Sequence, residues 1–315
     1  MKDILTITLN PALDLAASVD RVVPDRKLYT TKPRVDPGGG GVNVARMIHK
    51  LGGEVTALVA ISGATGTRLT DLLTAEGVVT LPVHMPGETR QSLAVTDASS
   101  GAQYRFSLPG EMLGPDDGSR LLAAIADAAP QNGLVVLSGG VAPGLGDDFP
   151  ERVQAAIAPR TDRLIVDTSK AALMRLVAQP VSPVHILRID QKEAAQAANH
   201  EMDTIADSVS FASGLVARGV ARMVVTGRGA EGSVMVTQEA HFLSRSATVP
   251  VRSKIGAGDA LVGAMTLALA QGDPTDQALR WGVAAASATV ATEGTALCSR
   301  AEVEALIHQC DVSEI

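Results

Sequence analysis

Aromatic rings are scarce in this chain: one Trp, two Tyr and four Phe among 315 residues. Binding of single-stranded nucleic acid calls for stacking platforms and a basic groove. Neither is expected here, because the formal net charge is −7 and the Lys and Arg are scattered rather than gathered in runs. Any anionic small molecule would have to be held by a few local cations. Cysteine is almost missing as well. Cys298 and Cys310 form no C-x-x-C pair, and the six histidines show no metal-ligand spacing, so no zinc site is expected and a reducing, cytoplasmic setting fits. The opening "MKDILTITLNPALDL" alternates like a strand and carries no signal-peptide core. The longest apolar run, near 260–270, is interrupted by Gly263 and Thr266 and falls short of a membrane span. The expectation is a soluble, cytoplasmic protein with no membrane partner.

What the chain does contain is Ala, Val and Leu in quantity. Hydrophobic residues make up 46% and charged residues 19%, which excludes disorder and supports a sizeable core built without rings. Strand-like stretches (Ile4–Leu9, Val55–Ile61, Leu134–Leu137, Leu164–Val166, Ile186–Arg188, Met223–Thr226) alternate with helix-like ones (Val42–Leu51, Arg68–Ala75, Ser119–Ala128, Glu151–Ala158, Ala171–Val177). That alternation predicts an α/β fold, a parallel sheet with helices on both faces. No linker or internal repeat divides residues 1–315, so a single domain is expected. Two stretches break the pattern. "RQSLAVTDASSGAQYRFSLPG" (90–110) reads as two strands joined by a turn at Ala98–Gly101, and "ASVDRVVPDRKLYTTKPRVDPG" (17–38) is strand-rich without a helix. Together they predict a small separate sheet, with strands at about 17–35 and 90–108, that gathers Lys27, Arg90 and Arg105 on one flap.

Three glycine runs carry the chemistry. Gly227, Gly229 and Gly232 in "VTGRGAEGSVMV" match G-x-G-x-x-G. A dinucleotide fingerprint needs a helix next, but Ser233–Thr237 is β-like, which counts against a nicotinamide-dependent oxidoreductase. The protein-kinase spacing fits too, yet H-R-D, D-F-G and V-A-I-K are missing, and no Walker A loop occurs; alone, the run reads as a hairpin turn. In "DPGGGGVNVARMIHKLGG", Gly38–Gly41 leave amides bare ahead of a helix, a suitable place for an anionic or polyol ligand. In "KIGAGDALVG", Gly256 and Gly258 precede Asp259 at the mouth of an apolar helix. An acid beside a phosphate-binding turn is electrostatically awkward, which points to a chemical role over a cap.

"TLNPALD", "PGGGGVNVAR" with its "LGG", "SGGVAPG" at 138–144, "VTGRGAEG" and "GAGDALVGAM" occur in an order and spacing that resemble the PfkB (ribokinase-like) family of carbohydrate kinases along essentially the whole chain. The resemblance implies a three-layer α/β domain with a small β-sheet lid. It implies Asp259 as the base that takes the acceptor hydroxyl's proton, with the amides of Gly256, Ala257 and Gly258 as an anion hole. Thr226, Gly227, Gly229 and Gly232 resemble the ATP-side loop, with Arg188 and Asp190 beside it. Asp14, Gly39, Gly40 and Asn43 resemble sugar contacts; Lys27, Arg90 and Arg105 would meet the sugar's own phosphate, with Ser138 nearby. Mg²⁺ would assist phosphoryl transfer. Asp190 and Glu193, three apart at a helix start, share a face and would draw the ion through water.

Relatives acting on fructose 1-phosphate or tagatose 6-phosphate typically have lysine at the place of Gly40. The all-glycine run is similar to the minor bacterial type of 6-phosphofructokinase, implying ATP-dependent phosphorylation of fructose 6-phosphate; "TLNPALD" is equally close to the other two branches. A sugar-phosphate-binding regulator with weak catalysis could keep every loop. Two departures stand out. Arg188-Ile189-Asp190 replaces the usual Lys-Pro-Asn, and Ala296 replaces an arginine that resembles part of a monovalent-cation loop, leaving potassium dependence open. Finally, Val22, Val23, Leu28, Leu93, Val95 and Phe106 give the flap more apolar surface than a thin lid needs, which predicts a homodimer formed lid to lid.

Overall fold

The computed structural model describes residues 1–315. Its strands are β1 (Ile4–Thr8), β2 (Ala12–Val19), β3 (Arg34–Gly38), β4 (Thr56–Ile61), β5 (Val79–His84), β6 (Arg90–Asp97) and β7 (Gln103–Ser107), then β8 (Leu134–Ser138), β9 (Leu164–Asp167), β10 (Val184–Asp190), β11 (Ala221–Gly227), β12 (Ser233–Val236), β13 (His241–Ser244) and β14 (Val312–Glu314). Ten of them form one sheet in the order β14-β13-β12-β11-β10-β9-β8-β1-β4-β5. It is parallel from β5 to β11 and antiparallel from there to β14.

The parallel strands are continuous apolar runs because helices cover both faces. Period two sorts their side chains: Ile4, Leu134 and Val136 enter one core, and Leu5, Ile7, Val135 and Leu137 enter the other. The first core is roofed by the helices Gly40–Lys50, Ala257–Gln271 and Thr275–Val290, the second by Pro115–Ala128, Phe149–Ile157, Lys170–Ala178 and Ile205–Ala217. Small residues replace rings as the means of close packing. A Cβ on Gly263 would come within 2.9 Å of the Met47 side chain, and one on Gly282 within 2.9 Å of the Leu261 carbonyl. This is the three-layer α/β arrangement expected. No helix is long and apolar enough to cross a membrane.

The second sheet has the order β3-β2-β6-β7. The hairpin of β6 and β7 is as expected, but the 17–38 stretch is not strand throughout. Only its ends pair, in β2 and β3, and residues 20–33 carry neither helix nor strand. Pro24 and Pro33 cannot donate to a ladder, and Asp25 adopts a left-handed φ of 57°. Val95 also departs from expectation: it is buried, although Leu93 and Phe106 on the same face of the sheet are exposed.

Helix starts were misplaced where a distant residue supplies the cap. The helix Gly63–Ala75 begins five residues before Arg68 because the Glu88 carboxylate accepts from the amides of Ala64 (2.8 Å) and Thr65 (3.0 Å). The Gly38–Gly41 run is likewise not a bare loop. Gly38 closes β3, Gly39 turns at φ 114°, and Gly40 and Gly41 already form the first helical turn.

Candidate active site

Beyond the carboxyl ends of the parallel strands, between the two sheets, lies a cavity of about 450 Å³, a size suited to a small metabolite. Asp14, Gly39, Gly40, Asn43, Arg90, Arg105, Gly256 and Asp259 all line it, together with Ser92, Ser107, Gly139, Ile255 and Thr295. Residues separated by up to 245 positions therefore converge on one cavity, while the nucleotide-side residues Thr226, Gly227, Gly229, Gly232, Arg188 and Asp190 and the buried Ser138 stand outside its lining. Lys27 lies in the 20–33 stretch, exposed, its ammonium 5.2 Å from the Tyr29 ring centroid, and does not line the cavity.

Asp259 occupies the third position of the helix Ala257–Gln271, whose N-cap Gly256 turns at φ 77°. It makes no capping bond; its Oδ2 instead accepts from Asn43 Nδ2 at 2.9 Å. Burial, followed by the nearby Asp167, pushes Asp259 up to about 7, against the pull of Asn43 and Arg188. A carboxylate poised there is well placed to exchange a proton near neutral pH.

Arg188, on β10, lies just below this turn. A Cβ on Gly258 would come within 3.0 Å of its Cζ and both Nη atoms, and one on Gly227 within 3.3 Å of Nη2. The guanidinium thus sits between the end of β11 and the amides of Ala257 and Gly258, which as first-turn groups have no intrahelical acceptor. Its Nη1 donates to Asp167 Oδ1 at 3.3 Å, and its buried Nε has no partner. Burial disfavours the charge, but Asp167, Glu193 and Asp190 more than offset it, so the arginine is held cationic. Asp167 also accepts from Ser138 Oγ at 3.2 Å. Ser138 is accordingly a buried support beneath the cavity rather than part of its lining.

Asp14, on β2, is paired in register with Asp36 on β3. Burial raises it to about 6, with Arg90 and Arg105 pulling down and Asp36 pushing up. Gly38 makes the room, because a Cβ there would overlap the Asp14 carboxylate. Gly40 is equally constrained: a Cβ would overlap Ser138 Oγ and lie 2.5 Å from the Gly139 amide nitrogen. Arg90 donates to Ser107 Oγ at 2.9 Å and to the Asn10 carbonyl at 3.4 Å, and Arg105 enters from the neighbouring β7. Two guanidinium groups therefore mark one part of the cavity, while Asp259 and the helix amides mark another.

The G-x-G-x-x-G run is a hairpin, as its β-like sequel required. Gly227 ends β11, Gly229–Glu231 forms one 3-10 turn, and Gly232 at φ 111° leads into antiparallel β12. Arg228 staples this loop from below, donating to Ser208 Oγ (2.6 Å) and to the carbonyls of Met202 (3.1 Å) and Asp203 (3.0 Å). The Thr226 hydroxyl at its root is buried without a partner.

Asp190 and Glu193 do share a helix start, but as reciprocal caps. Asp190 Oδ1 accepts from the Glu193 amide at 2.8 Å, and Glu193 Oε2 accepts from the Asp190 amide at 3.0 Å. One oxygen of each carboxylate is thereby engaged. No three His, Cys, Asp or Glu residues are grouped to hold an ion directly. Asp167 went unnoticed in the sequence, although an acid closing the apolar run "LIVD" at a strand's carboxyl end was a readable signal.

Comparison with known proteins agrees with this geometry. Residues 7–302 match the pfkB family of carbohydrate kinases. The ATP-dependent 6-phosphofructokinase isozyme 2 of Mycobacterium tuberculosis (strain CDC 1551 / Oshkosh) is 38% identical over 96% of this chain and 88% of its own. The 1-phosphofructokinase of Xanthomonas campestris is 32% identical over 84% of this chain and 83% of its own. The crystal structure of phosphofructokinase-2 from Escherichia coli in complex with potassium superposes with a TM-score of 0.92 at 36% identity, covering 98% of this chain and 99% of that one. A family match spanning nearly every residue, on a cleft whose glycine turns, acid and cations converge, leaves one assignment: the chain belongs to the PfkB family of carbohydrate kinases.

Proposed function

We propose that the chain transfers the γ-phosphoryl group of ATP to the 1-hydroxyl of fructose 6-phosphate. The observation that carries this reading is the separation of charge within one cavity. Arg90 and Arg105 suit a phosphate the sugar already bears, while Asp259 and the amides of Ala257 and Gly258 suit a hydroxyl and an incoming phosphoryl group. Between them, Asp14 and Asn43 are placed to bond the sugar's hydroxyls, and Gly39 and Gly40 let it lie against backbone. The 6-phosphofructokinase relative also matches more of this chain than the 1-phosphofructokinase does. The glycine at 40 also answers to packing in this chain, where a Cβ would overlap Ser138 Oγ and crowd the Gly139 amide.

In this reading Asp259, ionised, accepts the proton of the attacking hydroxyl. The helix amides and Arg188 hold the charge that spreads over the transferring group. ATP lies along Thr226, Gly227, Gly229 and Gly232, whose loop abuts Arg188. The free oxygens of Asp190 and Glu193 fit a hydrated Mg²⁺ held through water, because Mg²⁺ keeps most of its own shell and takes one or two carboxylates. When bound, the ion supplies charge neutralisation of the nucleotide phosphates. Thr292 Oγ1 donates to the Ala296 carbonyl at 2.6 Å and Ser253 Oγ to the Gly294 carbonyl at 2.7 Å, which leaves each carbonyl a second lone pair that a monovalent cation could use.

Replacing Arg90 by Ala tests the phosphate clamp. KM for fructose 6-phosphate is expected to rise tenfold or more, since a charge-assisted hydrogen bond contributes about 1.5–3 kcal/mol. KM for ATP should hardly change, and unphosphorylated fructose should be a poor substrate of the wild type. Steady-state assay of ADP release over both sugars checks this; equal kcat/KM for fructose and fructose 6-phosphate would sink the assignment.

The small sheet's outer face supports self-association. Leu93, Tyr104, Phe106 and Leu108 are exposed on or beside β6 and β7, with Leu28 and Tyr29 on the 20–33 stretch, an apolar area that solvent contact does not favour. A lid-to-lid homodimer would cover it. Sedimentation at micromolar concentration should give the dimer mass for the wild type and the monomer mass for Phe106→Asp, and a monomeric wild type overturns the assembly.

A further inference from the structure

Arg46 is the one arginine of the helix Gly40–Lys50, and its side chain is only 2% exposed. Its Nε and Nη2 grip Glu76 in bidentate fashion at 2.7 and 2.6 Å. Nη1 donates to the Pro37 carbonyl at 3.1 Å, and Nη2 stands 3.6 Å from Asp36 Oδ1. Asp36 is in turn engaged by Arg34 and by the Thr295 hydroxyl. The guanidinium is thus fixed by three residues, Glu76, Pro37 and Asp36, from two elements. Its remaining contact points toward the reaction: Nη1 donates to Asn43 Oδ1 at 3.4 Å, and the other end of that amide, Nδ2, donates to Asp259.

An asparagine amide can present either its oxygen or its NH₂ to a neighbour, and arginine has donors only. A flipped Asn43 would face NH₂ against NH₂ at Arg46 and oxygen against oxygen at Asp259. We propose that Arg46 is a positioning residue for the reaction, imposing on Asn43 the one orientation in which an N–H meets the Asp259 carboxylate. This rests on the kinase reading of Asp259. The other groups facing Asp259 come from separate elements: Asp167 at the end of β9, Arg188 on β10 and Asp14 on β2. None of them touches Asn43 through a hydrogen bond, so apart from Asp259 itself Arg46 is the one group that orients the amide.

Removing Arg46 alone would strand Glu76, whereas replacing a buried ion pair by apolar residues is tolerated. The informative variant is therefore Arg46→Met with Glu76→Met. Its acid limb in kcat/KM against pH should move up by about one unit, which is about tenfold in activity at pH 6.5. By pH 9, where the base is ionised in both proteins, the loss should all but vanish, with KM for ATP unchanged. Glu76→Gln, which leaves Arg46 in place, should lower the Tm without moving the acid limb, and Arg46→Lys should return the limb toward wild type. A double variant that is folded and keeps the wild-type limb overturns the proposal; if it does not fold, Arg46→Leu with Glu76→Gln, which also removes the donor to Asn43 without leaving a lone carboxylate, decides in the same way. Should the wild type release no ADP with any sugar phosphate, the kinase reading fails by itself. The positioning claim is then read from the titration of Asp259 in ¹³C-aspartate NMR of the same variants.

Discussion

Asp259→Asn is expected to lower kcat by about 10²–10⁴-fold, the usual worth of a general base, or roughly 3–5 kcal/mol of barrier. The change keeps the shape of the side chain and removes its ability to take a proton. Because Asp259 caps nothing and bonds only Asn43, the loss cannot be ascribed to a frayed helix. ATP should bind as well or slightly tighter, since a negative charge near its phosphates has gone. The wild type supplies a matching signature in pH. Asp259 is raised to about 7, so kcat/KM should fall as pH drops through 7 while the base takes up its proton. Stability runs the other way. A carboxyl whose folded value lies above its unfolded one stabilises most at low pH and loses that contribution as pH rises through the folded value. Asp259→Asn should therefore melt higher than wild type at pH 8, with the gap narrowing toward pH 5. Near-normal turnover with a wild-type acid limb would show that Asp259 is not the base.

Arg188→Met should lower kcat by about 10²–10³-fold, comparable with the loss of a preorganised donor at a developing anion. The guanidinium packs against Gly258 in the first turn of the helix, and its Nε is buried without a protein acceptor. KM for the sugar should respond much less, because Arg90 and Arg105 hold that end of the cavity. Removing one partner of the Arg188–Asp167 pair leaves a buried carboxylate, a change that can cost about 3–5 kcal/mol. Arg188→Met with Asp167→Asn removes that penalty and should show the same kcat loss. Arg188→Lys, which restores the residue common in related sequences, should stay within about tenfold of wild type. Single-turnover measurement separates the chemical step from nucleotide release; an unchanged chemical step in the double variant would confine Arg188 to a structural role.

Much of this site was legible because its parts are local. Glycine at Gly39, Gly232 and Gly256 answers to positive φ, a constraint written in the residue itself. The β propensity of Ser233–Thr237 ruled out a helix after Gly232, and β12 is there. Fully buried strands announced themselves as Ile, Val and Leu runs. Other features had no local signal. The helix at Gly63 starts where it does because Glu88, 24 residues from Ala64, caps it. Lys27 joins Arg90 and Arg105 through the flap that the sequence predicts, yet its stretch, with Pro24, Asp25 and Pro33, forms no strand and does not line the cavity.

The sequence by itself determined the layered α/β class and the three glycine turns, because each depends on backbone freedom or strand and helix period within a short window. The roles of the acid and the cations were offered only by resemblance to the family. Only the tertiary structure decided what those groups are chemically. Asn43 meets Asp259 across 216 residues, and Asp167 reaches Arg188 only because β9 and β10 pair with Val166 beside Leu187. The proton affinity of Asp259 follows from that assembly, from how much water the packed layers remove and which charges they leave nearby, and neither quantity exists until the chain has folded.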